Sequence, residues 1–179
     1  MTKAAKDPLL AIARFVLMFF IVVLAIAGAA LVIALPLMLF NQAALLAELA
    51  ADGKDIVPGV IPAAAFVLAG AAGLMALGVY FLLLLRRIVN SVGEGDPFIP
   101  DNAKRLSRMG WVAIIAQAAA VPIGIAFVWV VGIAADPNDH VDNDFGFSGT
   151  GVLLVLILFI LARVFRKGTE MREELEGTV

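Results

Sequence analysis

The sequence predicts an all-α fold, a polytopic integral membrane protein built as a bundle of four transmembrane helices, on three observations. The 179 residues are 63% hydrophobic and only 16% charged, with a mean hydropathy of +1.03, whereas soluble domains run at about 45–50% apolar and about 25% charged. The apolar residues are gathered into four long runs rather than amphipathic stripes, which makes lipid the relevant solvent. The lysines and arginines between those runs fall on alternate connections, as they do when successive spans cross in opposite directions. Residues 1–179 therefore read as a single membrane domain.

The spans are expected at approximately 15–40, 60–85, 111–135 and 147–165, each reaching or approaching the roughly 20 residues that a helix needs to cross about 30 Å of hydrocarbon. The first follows Lys3, Lys6 and Arg14 like a secretory signal, but its uncharged run from Phe15 to Phe40 outlasts the roughly 7–15 residues of a signal core and reads as a retained span. The fourth begins irregularly at Gly146, Ser148, Gly149 and Thr150, and its dense part is Val152 to Ala162. Trp111 and Trp129 stand at opposite ends of span three, roughly 27 Å apart at the helical rise, close to the separation of the two interfacial belts. Tyr80 lies just inside Arg86 and is another positional anchor.

Orientation follows from the basic residues. Twelve of the thirteen, namely Lys3, Lys6, Arg14, Arg86, Arg87, Lys104, Arg105, Arg108, Arg163, Arg166, Lys167 and Arg172, fall on the N-terminal segment, the loop 86–110 and the tail; Lys54 alone falls elsewhere. The positive-inside bias makes both termini and the 86–110 loop cytoplasmic. Glu48, Asp52, Asp55, Asp136, Asp139, Asp142 and Asp144 then face the other side.

Small residues at i,i+4 spacing let helix backbones approach in lipid. Ala65, Ala69 and Gly73 form one such ladder in span two, and Ala116, Ala120 and Gly124 form another in span three; both are expected to mark tight packing, against each other or against a second copy in a homo-oligomer. Val152 to Ile160 contains no small residue and reads as lipid-facing. In the 86–110 loop, Gly93, Gly95 and Pro97 stop the helix leaving span two, and Asp101 is placed to cap a new helix that carries Lys104, Arg105 and Arg108 into span three. Its basic face suits anionic headgroups, with Phe98 and Ile99 dipping into the interface or packing under the bundle. The tail 166–179 pairs Arg166 with Glu170 and Arg172 with Glu176 at i,i+4, which supports a cytoplasmic helix.

Two clusters of motifs carry a family resemblance. Gly95-Asp96-Pro97-Phe98, Asn102-Ala103, Arg105-Leu106 and Gly110-Trp111 form the first; Leu161-Ala162, Val164-Phe165-Arg166, Gly168, Met171-Arg172-Glu173-Glu174 and Glu176-Gly177-Thr178-Val179 form the second. They resemble the signature of a family of small bacterial four-span proteins catalogued as domain of unknown function 2975, in which a glutamate often stands where this chain has Arg163. The resemblance implies a bacterial cytoplasmic (inner) membrane protein, with Gly95, Pro97, Phe98, Asn102, Ala103, Arg105, Leu106, Trp111, Phe165, Arg166, Gly168, Arg172 and Glu173 as signature residues. Family members are often encoded beside a small helix-turn-helix regulator, which implies a soluble partner of that kind rather than direct nucleic-acid binding.

Few residues could carry chemistry. Gln117 is the one strongly polar side chain well inside a span; it could contact a ligand or ion beside the Ala118 carbonyl, which Pro122 deprives of its helical hydrogen bond, but an interhelical hydrogen bond is the favoured reading. Asp136, Asp139, His140, Asp142 and Asp144 are weak metal candidates: several oxygens and an imidazole are present, yet the spacing fails the EF-hand template and an acidic solvated turn explains them better. The absence of cysteine excludes disulfides and thiolate chemistry. No paired carboxylates, nucleophile with base or intramembrane acid is visible, so neither an enzyme nor a cofactor is expected. What remains is a regulatory or interaction protein acting through its cytoplasmic face, with a small-solute or ion transporter or channel as the alternative.

Overall fold

The computed structural model describes residues 8–54, 57–134 and 148–176. They form five helices: α1 (Pro8–Phe40), α2 (Gln42–Ala51), α3 (Val60–Gly93), α4 (Pro100–Ala134) and α5 (Gly149–Glu176), with no strand among the described residues. Four of these helices, all but α2, are long and apolar enough to cross a membrane. The chain is an all-α polytopic membrane protein. Phe15, Phe19, Ile26 and Ile33 of α1 and Leu153, Leu156 and Ile160 of α5 stay exposed, as side chains solvated by lipid do.

The helices outrun the expected spans. The 34 residues of α3 correspond to about 51 Å at the helical rise, more than the roughly 30 Å of a hydrocarbon core, and the charged segments Arg86–Gly93, Pro100–Met109 and Arg166–Glu176 continue the same helices as the apolar runs. Pro8 and Pro100 each open a helix, at the position where a missing N–H costs nothing. Asp101, expected as the cap of α4, lies inside its first turn, because Pro100 already starts the helix. There its carboxylate favours the positive helix end and lies 3.7 Å from Lys104 and 3.8 Å from Arg105. The short α2 was not foreseen. It follows Asn41, whose Nδ2 donates to the Leu37 carbonyl at 2.8 Å, and it ends where Lys54 N–H donates to the Leu49 carbonyl at 3.0 Å with Gly53 at φ +72°. That is a left-handed glycine stop.

Two compact units are distinguishable, and α1, α3 and α4 each contribute to both. Of the described residues, the first comprises 8–24, 77–115 and 149–176, the second 25–54, 57–76, 116–134 and 148. In the first, Leu84, Ile88, Leu106, Met109, Leu158 and Ala162 form the core, with Phe81, Leu85 and Phe165 against it. Gly110 lies under the Phe159 ring, and a Cβ there would sit 2.9 Å from it. The Arg14 guanidinium covers Gly93 at the carboxyl end of α3, where a cation is favoured.

In the second unit the close approach of α3 to α4 is made by Gly70, where an added Cβ would lie 2.6 Å from Ile123 Cδ1. Within one chain, this corrects the expected packing of the two ladders against each other. Ala69 and Gly73 are exposed, and a Cβ on Gly73 would meet nothing within 4 Å. Ala116 and Ala120 are half-buried and Gly124 is buried. Only the α4 ladder therefore turns inward, and the branched Ile123 side chain needs the notch of Gly70, one residue and about 100° around α3 from Ala69.

Candidate functional site

The residues between the end of α3 and the start of α4 build a clasp in the first unit. Its sequence logic begins with Gly95, at φ +88°. The Gly95 N–H donates to the Val92 carbonyl at 3.1 Å and the Asp96 N–H to the Ser91 carbonyl at 3.2 Å, the paired bonds that close a helix through a left-handed glycine. Pro97 follows where the helix cannot continue. Asn102 N–H then donates to the Ile99 carbonyl at 3.0 Å, so the first turn of α4 satisfies one of its own orphan donors.

Asn102 is the centre of the clasp and is fully buried, at 0% exposure. Its Nδ2 donates to Ser91 Oγ at 2.6 Å and to the Pro97 carbonyl at 2.8 Å, and its Oδ1 accepts from Arg105 Nη1 at 2.8 Å. Ser91 Oγ in turn donates to the Ile88 carbonyl at 2.7 Å. One amide thus ties the last turn of α3, the loop and the first turns of α4 together, with both donors and its acceptor in use.

A second set of contacts ties the loop to α5. The Phe98 and Phe165 rings are 5.3 Å apart, and Phe98 lies over Gly168, where a Cβ would come within 2.7 Å of it. Asp96 pairs with Arg172. Thr169 is buried and its Oγ1 donates to the Phe165 carbonyl at 2.9 Å. Ala103 and Leu106 are buried, while Trp111 is 60% exposed and packs edge-on against Phe159 with centroids 5.9 Å apart.

Most signature residues therefore build the clasp: Gly95 and Pro97 shape the turn, the half-exposed Phe98 joins it to Phe165 and Gly168 of α5, and Asn102, Ala103, Arg105 and Leu106 anchor α4. Arg166 and Glu173 are exposed. With Pro100, Ala103, Lys104, Thr169 and Glu170 they line an open groove of about 330 Å³ between α4 and α5. Sequence reasoning passed over Ser91 and Thr169 as site residues. Their signal was faint: each is a lone hydroxyl on a helix, four residues before or one residue after a signature glycine.

Gln117 lies in the second unit. Its Oε1 is buried and has no hydrogen-bond partner, and Pro122 lies inside the same helix. Among the described residues no group of three or more His, Cys, Asp or Glu side chains is gathered to hold a metal ion. Asp136, Asp139, His140, Asp142 and Asp144 lie outside the described residues.

Comparison with known proteins adds a family. No curated protein and no solved structure matches the chain. A family profile described as "Protein of unknown function (DUF2975)" matches residues 48–179, a stretch that contains the clasp, α3, α4 and all of α5. The protein belongs to the DUF2975 family.

Proposed function

We propose that this protein is a non-enzymatic regulatory or interaction protein of a bacterial cytoplasmic membrane, which presents the clasp and the projecting end of α5 to the cytoplasm as a docking surface for a soluble partner. The observation that carries the reading is the groove lined by Lys104, Arg166, Thr169, Glu170 and Glu173, on helix ends that project past the hydrocarbon and are held in register by Asn102, Phe98 and the Asp96–Arg172 pair. The twelve-to-one bias of basic residues toward this end supports its cytoplasmic orientation. A small helix-turn-helix regulator is the class of partner that the family resemblance implies, and the groove's mixed charge suits a helix presenting both signs.

The test is crosslinking and co-purification from native membranes with the full chain and with Glu170→Lys/Glu173→Lys, whose exposed side chains leave the clasp intact. A specific soluble protein recovered with the wild type and lost with the variant supports docking. Recovery of none overturns it. A second reading, transport of a small solute or ion, rests on the unpartnered Gln117 oxygen beside a proline-interrupted helix, the kind of intramembrane polar group that marks a path. Flux into liposomes abolished by Gln117→Leu would replace docking with transport.

A further inference from the structure

Next to the docking groove runs a second one of about 340 Å³, lined by Ser107 of α4 and by Leu156, Phe159, Ile160, Ala162, Arg163 and Arg166 of α5. Its polarity is graded. Leu156, Phe159 and Ile160 form one end, Ser107, Arg163 and Arg166 the other, and the buried Ala162 is its floor. From Leu156 to Arg166 the helix rises about 15 Å, half the thickness of a hydrocarbon core. The Trp111–Phe159 pair beside it sits where an interfacial aromatic belongs.

The charges of the polar end are uncommitted. Lys104 pairs with Asp101, Lys167 with Glu170, Arg172 with Asp96, and Arg105 with Asn102 and Asp101. Among the described residues, Arg163 and Arg166 have no hydrogen bond or ion pair; Glu170, expected to pair with Arg166, pairs with Lys167 instead. Two free guanidiniums and a hydroxyl at the mouth of an apolar channel are the donors that a phosphate takes, beside a surface that suits an acyl chain.

We propose that this groove binds one anionic glycerophospholipid, with its phosphate on Arg163, Arg166 and the Ser107 hydroxyl and one acyl chain along Leu156, Phe159 and Ile160. Charge complementarity selects the occupant. A free phosphate leaves the apolar end empty, and a choline headgroup brings a cation toward two arginines. The site would hold a single lipid against the α4–α5 seam; it shares Arg166 with the docking groove, which continues along α5 to Glu170 and Glu173.

The test is native mass spectrometry of the full chain purified in neutral detergent, titrated with dioleoylphosphatidylglycerol, with dioleoylphosphatidylcholine or with inorganic phosphate. One phosphatidylglycerol adduct is expected at concentrations where phosphatidylcholine gives none. Arg163→Gln/Arg166→Gln should weaken it about thirtyfold, at about fivefold per arginine near a headgroup. Ile160→Trp, which fills the apolar end without touching charge, should weaken it too, while Arg86→Gln/Arg87→Gln, an equal charge change elsewhere, should change it less than about threefold. Equal adducts of both lipids, an equal loss in the Arg86/Arg87 control, or phosphate binding indifferent to Ile160→Trp would each overturn the proposal. No soluble partner enters the assay, so its outcome is independent of docking.

Discussion

Replacing Asn102 by alanine should be among the most damaging single changes in the protein, and the structure sets its size. The side chain is fully buried and makes three hydrogen bonds, to Ser91 Oγ, the Pro97 carbonyl and Arg105 Nη1. Neutral bonds contribute about 0.5–1.5 kcal/mol each and one to a charged group about 1.5–3 kcal/mol, and the Pro97 carbonyl would lose this partner. With the void left by the amide, the expected loss is about 3–5 kcal/mol. Ser91→Ala removes one of these bonds and should cost only about 1–2 kcal/mol. The two losses should not add, because the Ser91–Asn102 bond is shared. Asn102→Asp tests the same reasoning at constant volume: a carboxylate cannot donate to the Pro97 carbonyl, so it too should destabilise although it faces Arg105. Unfolding free energies from SDS titration in mixed micelles give all four values. If Asn102→Ala costs less than Ser91→Ala, or if the two are additive, the amide is not the hub described.

Three further outcomes follow from other contacts. Gly70→Leu should destabilise by about 1–3 kcal/mol, the cost of overpacking a close interface, whereas Gly73→Leu, on an open face, should be nearly neutral; equal melting in detergent would contradict the placement of Ile123 over Gly70. Gly168→Ala should displace the Phe98 ring and cost about 1–3 kcal/mol, and Phe98→Ala in the same chain should remove most of that extra cost in a double-mutant cycle. With no native cysteine, an impermeant thiol reagent on intact cells should label Ala51→Cys and spare Glu94→Cys; the reverse pattern would invert the orientation.

The fold was legible because hydropathy and length need only a run of apolar residues, and the runs starting at Phe15, Val60, Trp111 and Val152 each lie within a long helix. The helix ends were not, since a polar stretch such as Arg86–Asn90 cannot say whether a helix stops at the headgroups or continues through them. Helix α2 was hidden for a related reason: Glu48 and Asp52 marked the segment as a loop, although Ala43 to Ala47 are strong helix formers. The face of α3 that packs on α4 within the chain differs from the expected one because a helix holding Ala63, Ala64, Ala65, Ala69, Gly70, Ala71, Ala72 and Gly73 presents small residues on every side. Which side packs is decided by the partner, here Ile123, and no spacing on α3 encodes it.

The site divides along the same line. Gly95 and Pro97 could be understood locally, because a helix stop needs a left-handed residue and then one that cannot continue. Asn102 could not: it reads as a surface residue in a polar loop, and only the folded chain brings Ser91, Pro97 and Arg105 to it. The same holds for Phe98 and Gly168, 70 residues apart in the chain, whose pairing explains both identities. Once these residues are assigned to the clasp, the motifs no longer mark a surface by themselves. What the clasp leaves outside is Lys104, Arg163, Arg166, Glu170 and Glu173, a set drawn from two helices whose relative position the clasp fixes. A partner or a lipid that reads α4 and α5 together therefore depends on Asn102 without touching it. Loss of binding on Asn102→Ala should be recovered when α4 and α5 are joined by another covalent link, whereas Arg166→Gln should not be rescued that way.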